Sequence, residues 1–188
     1  MISLINKIDN TIRNFDIEAQ RSLENLLVRK QVKKGEYLLA EGFVCRNCII
    51  IEEGIARKFL ISKNKEITME LYFKDDIAVS FDSLCNQSAS NEWIQTLSNV
   101  TITLLNFQDF QKLKSTYPEL IILDLIIAEH YTIWLEKKLI SFRCFNASER
   151  YLHLLENNPH YVQKIPLFII ASYLGVAIET LSRIRAKI

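Results

Sequence analysis

Glycine and proline are scarce: the 188 residues include four glycines and three prolines. Phosphate-cradling loops of the P-loop or dinucleotide-fingerprint kind need two or three glycines close together, so both are excluded. A charge excess is missing as well. Lys plus Arg number 23 against 22 Asp plus Glu, a formal net charge of +1. A chain this balanced is not a uniformly basic coat for nucleic acid, and any basic contact surface must be local. Long apolar runs are also lacking. The longest block, 120–128, is interrupted by Asp124 and falls far short of the ~20 residues of a membrane helix. Residues 1–14 scatter Lys7, Asp9 and Arg13 among apolar side chains, which leaves no apolar stretch of signal-peptide type. No membrane partner is expected, and the expected location is the cytoplasm. What is plentiful is apolar residues, 49%. That content excludes a disordered chain and suffices for one large or two small cores.

Side chains that carry chemistry are few. The cysteines are Cys45, Cys48, Cys85 and Cys144, and the histidines are His130, His153 and His160. Cys45 and Cys48 form a lone C-x-x-C. A zinc site wants a second pair, whereas Cys85 and Cys144 stand far apart without a nearby His. Cys48 opens a strand-like run, whereas a thioredoxin-type pair opens a helix. The cysteines are therefore expected to be reduced and structural, with no metal and no cofactor. No Ser-His-Asp set, metal cluster or phosphate loop assembles from this inventory, so an enzyme is not expected.

Periodicity divides the chain. Asp16 caps an expected helix to about Leu27. From Val32 to Asn106, short apolar or alternating runs follow one another: 37–40, 48–52, 55–61, 67–73, 77–81, 93–97 and 100–105. Between them lie Lys34-Gly35, Glu41-Gly42, Glu53-Gly54 and 62–65. Strands at that spacing predict an antiparallel barrel or sandwich. After Asn106 the pattern turns helical: a short helix over 107–114, then a long one from about Pro118 to Cys144. Along the long helix Ile121, Leu125, Ala128, Thr132, Leu135, Leu139 and Phe142 follow alternating steps of four and three, a heptad seam. Ile122, Ile126, Ile133 and Ile140 lie beside it, and Leu123, Ile127 and Trp134 widen the apolar surface. Such a helix must be covered on more than one side. Two readings fit: a seam between two subunits or a core helix of one chain. Three regular heptads favour the first.

In the last segment Asn146 caps a helix over 147–156, with Glu149 at its third position as in a capping box. Pro166 opens another, 167–174, which stops at Gly175, and a last helix begins near Ala177. Two short helices around a glycine turn are a helix-turn-helix signature. Charge follows the same division. Residues 143–188 hold six bases against three acids, a net +3, and beyond Glu179 every charged side chain is basic.

The string from Ile169 to Ile184, with Leu174-Gly175 followed by Glu179-Thr-Leu-Ser-Arg183, resembles the helix-turn-helix of Crp/Fnr-type transcription regulators. The runs 34–42 and 49–54 resemble that family's cyclic-nucleotide-binding-like β-roll. The resemblance covers nearly the whole chain. It implies an α+β fold: an N-terminal antiparallel β-roll sensor with flanking helices (1–115), a long dimerisation helix (116–144) and a helical DNA-binding domain (145–188). It implies a homodimer on a palindromic operator of double-stranded DNA, read through residues 177–188. It also implies RNA polymerase as a partner and an effector of unidentified chemistry. Glu179 and Arg183, four apart on one helical face, are the implied base readers, with Thr180, Ser182, Arg185 and Lys187 suited to phosphates. The implied seam is the heptad stripe named above.

Two departures mark the DNA-binding half. Ile178 stands where many relatives carry a polar or basic reader, and their β-wing is not expected after the recognition helix. The sensor half departs further. The stretch 75–93 holds neither Gly nor Arg, and its acids Asp82 and Glu92 repel a phosphate, so cyclic AMP is not the expected effector. Ser80, Ser88, Ser90 and Trp93 either line a pocket for another ligand or surround a filled one. An iron–sulfur mechanism with N-terminal thiolates is not expected, since no cysteine precedes Cys45. The competing function is a protein-interaction module on the same β-roll that binds no DNA.

Overall fold

A computed structural model describes residues 4–187, the side chain of Tyr161 excepted. Helices α1 (Leu4–Ile12) and α2 (Ile17–Glu24) lead into eight strands: β1 (Leu27–Val32), β2 (Tyr37–Leu39), β3 (Asn47–Glu53), β4 (Ala56–Ser62), β5 (Lys65–Tyr72), β6 (Ile77–Ala78), β7 (Trp93–Thr96) and β8 (Val100–Asn106). Helix α3 (Phe81–Asn86) interrupts the strand series. Then come α4 (Phe107–Thr116), a 3-10 turn over Pro118–Leu120, the long α5 (Ile121–Cys144), α6 (Ala147–Asn157), α7 (Pro159–Val162), α8 (Leu167–Leu174) and α9 (Ile178–Arg185). The fold is α+β.

The strands form two antiparallel four-stranded sheets, ordered β1-β8-β3-β6 and β2-β7-β4-β5. The period-two pleat sends alternate side chains inward. Ile49 and Ile51 of β3, Ile102 of β8 and Ile94 of β7 meet between the sheets, each no more than 4% exposed. The β4–β5 hairpin turns through Lys63 and Asn64, both at positive φ (51° and 61°), as a two-residue primed turn requires. At the β3–β4 corner Gly54 has φ +98°, and a Cβ there would lie 2.4 Å from the Asn99 carbonyl oxygen. No other residue fits that corner.

Three elements depart from the sequence expectation. Helix α2 ends at Glu24, and Leu27–Val32 is a strand: its basic centre masks the alternation, but pairing of Val28 with Leu104 and Lys30 with Ile102 holds it on β8. The run 77–81 is strand only at Ile77–Ala78, and from Phe81 the chain coils into α3. Helix α1 lies outside the expected elements and is held by packing, with Leu4, Ile8 and Ile12 against a cluster of Leu23, Phe110, Leu120, Leu123 and Ile126.

Candidate nucleic-acid interface

The C-terminal unit is built on local signals. The Asn146 carboxamide accepts from the Ser148 and Glu149 amides, and the Glu149 carboxylate accepts from the Asn146 amide, a complete capping box for α6. Helix α8 ends at Gly175 with φ +66°. There the Gly175 amide donates to the Ser172 carbonyl and the Val176 amide to the Ala171 carbonyl. This double closure needs a left-handed residue, which glycine adopts most cheaply. The three residues Gly175–Ala177 join α8 to α9, and the chain bends by 104° between the two helices.

Leu181 and Ile184 of α9 are buried at 0% and 8% exposure in a cluster with Tyr151, Leu154, Ile170 and Leu174. A helix buried on one side presents the other. Glu179, Ser182, Arg183, Arg185 and Lys187 are exposed, and Thr180 is half-buried. The six residues expected to meet DNA therefore lie on the same short segment. The Arg183 side chain lies along its own helix, with Nε 3.4 Å from the Glu179 carbonyl and a terminal nitrogen 3.4 Å from the Thr180 hydroxyl. Among the described residues the Glu179 carboxylate makes no ion pair. Ile178 is 40% exposed in the first turn. Arg150 has a different task from the exposed bases. It donates to the Phe145 and Leu174 carbonyls at 2.7 and 3.0 Å and lies 5.3 Å from the Phe142 ring centroid, tying α6 to the ends of α5 and α8.

The C-terminal unit rests on the sheet. Ile55, Leu71, Phe73 and Leu97 of the strand region share its apolar cluster. Ser172 of α8 accepts from the Thr68 amide at 2.9 Å and donates to the Glu66 carbonyl at 3.2 Å, closing part of the free edge of β5. Lys138 of α5 donates to the Met69 carbonyl of the same strand and lies 4.6 and 4.8 Å from the Trp134 and Tyr173 rings. Burial pushes its ammonium down to about 8.

All seven seam residues of α5, Ile121, Leu125, Ala128, Thr132, Leu135, Leu139 and Phe142, are exposed, Leu125 at 52% and Leu139 at 58%. Leu123 and Ile126, on the other side of the helix, are buried. One side of α5 thus faces the protein and the stripe faces solvent.

Ser80, Ser88, Ser90 and Trp93 do not converge on one opening, although Ile77, Phe81, Leu84 and Cys85 of the same stretch do. Ser80 and Ser90 are buried and hydrogen-bonded to each other at 3.2 Å. Ser88 is exposed, and Trp93 lies between Tyr37 and Phe59, its indole N–H donating to Glu41 at 3.3 Å. Nearby, the sequence reading missed a buried charge cluster. Lys58 of β4 pairs with Glu70 of β5 at 2.7 Å and with Glu92 at 3.6 Å, and it donates to the Val79 carbonyl at 3.2 Å. Burial pulls the ammonium down, but the two carboxylates outweigh it and hold it above the usual lysine value. The signal in the sequence was charge at mid-strand in two largely apolar runs, Arg57-Lys58 in one and Glu70 in the other. Among the described residues no group of three or more His, Cys, Asp and Glu is placed to hold a metal ion, and no single helix is long and apolar enough to cross a membrane.

The backbone has close relatives in shape. FixK2 from Bradyrhizobium japonicum superposes with a TM-score of 0.70 at 16% identity, over 86% of this chain and 83% of that one. CLP from Xanthomonas campestris, a c-di-GMP-responsive global regulator, gives 0.70 at 11% identity over 92% and 91%. A protein from Eubacterium rectale described as a Crp/Fnr-family transcriptional regulator gives 0.66 at 17% identity over 92% and 82%. The chain has the Crp/Fnr fold. No family model matches the sequence, and no curated protein does. The likeness therefore lies in the fold: two antiparallel sheets, a long helix beside them and a terminal helical unit, in the order that the Crp/Fnr resemblance implied.

Proposed function

We propose that the protein is a homodimeric, DNA-binding transcription regulator of Crp/Fnr type. In this reading α8 and α9 are its helix-turn-helix, α9 reads the major groove, and the exposed stripe of α5 is the subunit seam. One observation carries the reading. The bend of 104° over a three-residue glycine turn lies within the ~90–120° of DNA-binding helix pairs, and the exposed side of α9 bears Glu179, Arg183, Arg185 and Lys187. Arg183 suits the two guanine acceptors and Glu179 the cytosine amine. Thr180, Ser182, Arg185 and Lys187 suit phosphate oxygens. The balanced total charge makes the remainder of the surface a poor competitor for DNA.

The β-roll does not respond to cyclic AMP on this proposal. Lys58 is held by Glu70 and Glu92, and the stretch 75–93 offers a cyclic phosphate no arginine. A saturable calorimetric titration with cyclic AMP would overturn this part.

The test of DNA reading is a binding titration on selected and scrambled duplexes at two salt concentrations. Arg183→Ala should lose about 1–3 kcal/mol on the selected site and relax preference at one base pair. Lys187→Ala should weaken both duplexes alike and lower the salt slope by about one. Equal weakening of both duplexes by Arg183→Ala would remove its base-reading role. Failure of the wild type to bind either duplex would favour the protein-interaction module, for which exposed Ile178 is the apolar contact.

A further inference from the structure

On the face of the first sheet that points away from the core, the chain forms an apolar cavity of about 500 Å³, open to solvent on one side. Its walls come from α1, α3, α4, the first half of α5 and strands β3, β6 and β8. The pleat of β3 explains the placement: Ile49 and Ile51 enter the core between the sheets, so Cys48 and Ile50 point the other way, into the cavity. Leu105, Phe110 and Ile127 complete the apolar lining from β8, α4 and α5. The polar side chains reaching it are Asp9, Gln111 and Asp124. No lysine or arginine lines it, and the nearby Lys114 ammonium is paired with Asp124.

Size and chemistry point to a ligand. The volume falls in the range of small-molecule sites, mostly apolar with a few polar groups that fix orientation. One side of it opens to solvent, where Asp9, Cys85, Gln111 and Ala128 are exposed, so a ligand has a way in. An apolar body there would give the lining the contacts that close-packed interiors make. Acidic side chains without a free base disfavour an anion. We propose that this cavity binds an uncharged apolar small molecule, a hydrocarbon or aromatic body with a hydroxyl-like group that meets Gln111 or Asp124. The occupant packs against Leu123 and Ile127 of α5, beside Ala128 of the exposed stripe. An effect of that contact on DNA affinity rests on the function proposed above, whereas binding itself does not.

The test uses the purified full chain without DNA. N-phenyl-1-naphthylamine, an uncharged fluorophore, should bind saturably at about one site per chain. The sulfonate 8-anilinonaphthalene-1-sulfonate should bind about tenfold more weakly or worse. Dodecanol should displace the neutral probe, and dodecanoate should not. Ile50→Trp, which puts an indole into the cavity from a rigid strand, should weaken the probe by about tenfold or more with the melting temperature kept or raised. If that variant does not fold, Leu105→Phe makes the same test with a smaller ring. Asp124→Asn should let dodecanoate compete, because a repelling charge is gone and Lys114 is released. Absence of saturable binding by the wild type would overturn the proposal. So would equal binding of both probes unaffected by either filling variant, which marks a surface patch. Loss of the probe site in step with dimer formation would overturn it too, by assigning the cavity to a second copy.

Discussion

Replacing Lys58 by methionine tests the structure at its most demanding point. Lys58 is 3% exposed, and Glu70, its nearest partner at 2.7 Å, is 7% exposed. Methionine has nearly the same length, so packing changes little and charge changes most. Glu70 is then left buried without its cation, and Glu92 loses a partner at 3.6 Å. Removing one member of such a pair costs about 3–5 kcal/mol. In a chain of this size that lowers the melting temperature by about 10 °C. The double variant Lys58→Met, Glu70→Leu removes both charges of the tight pair and should recover most of the loss, to within about 1 kcal/mol of wild type. Urea unfolding of wild type, both single variants and the double variant closes the cycle, with two-state behaviour checked by two probes. Because the Lys58 ammonium is held above its ordinary value of 10.5, its pairing is intact below that pH and is lost only as pH rises past the raised value. Measurements between pH 6 and 9 should therefore give one answer for the wild type's Lys58 contribution. A Lys58→Met cost below about 1 kcal/mol would refute the buried pair, since exposed pairs are worth that little. A double variant as unstable as the sum of its singles would refute the coupling.

Leu125→Lys together with Leu135→Lys should give a monomer in sedimentation velocity at micromolar concentration with the fold retained. Both side chains are exposed in one chain, at 52% and 44%, so the charges are costly only if a second subunit covers them. Sedimentation of the wild type as a monomer would refute the seam. Asp76 supplies a pH test: burial raises its carboxyl to about 6, so the folded state holds the proton more tightly than the unfolded one. Stability from this group is present below about pH 4 and is lost as pH rises through 6, by up to about 3 kcal/mol before solvent screening. Asp76→Asn should flatten that part of the stability–pH curve, and an unchanged curve would refute the assignment.

Local signals made most of the C-terminal unit legible in the sequence. The Asn146 and Glu149 capping box, the glycine that closes α8 and the start of α8 after Pro166 depend on neighbours within a few residues, and each was legible before any tertiary contact was known. The heptad stripe of α5 was readable for the same reason, as was the turn at 62–65. Strand β1 was not readable, because its exposed basic centre becomes a strand only by pairing with β8, about 70 residues later. Helix α3 replaced the end of an apolar run through its place above the sheet, and α1 is held by α5. Tertiary structure alone decided three further matters. It brought Lys58, Glu70 and Glu92 together from three separate segments, it seated α8 on the edge of β5 through Ser172, and it left an apolar cavity outside the first sheet. Each depends on which distant segments meet, and helical or strand periodicity records the side a residue faces but not the partner it finds there.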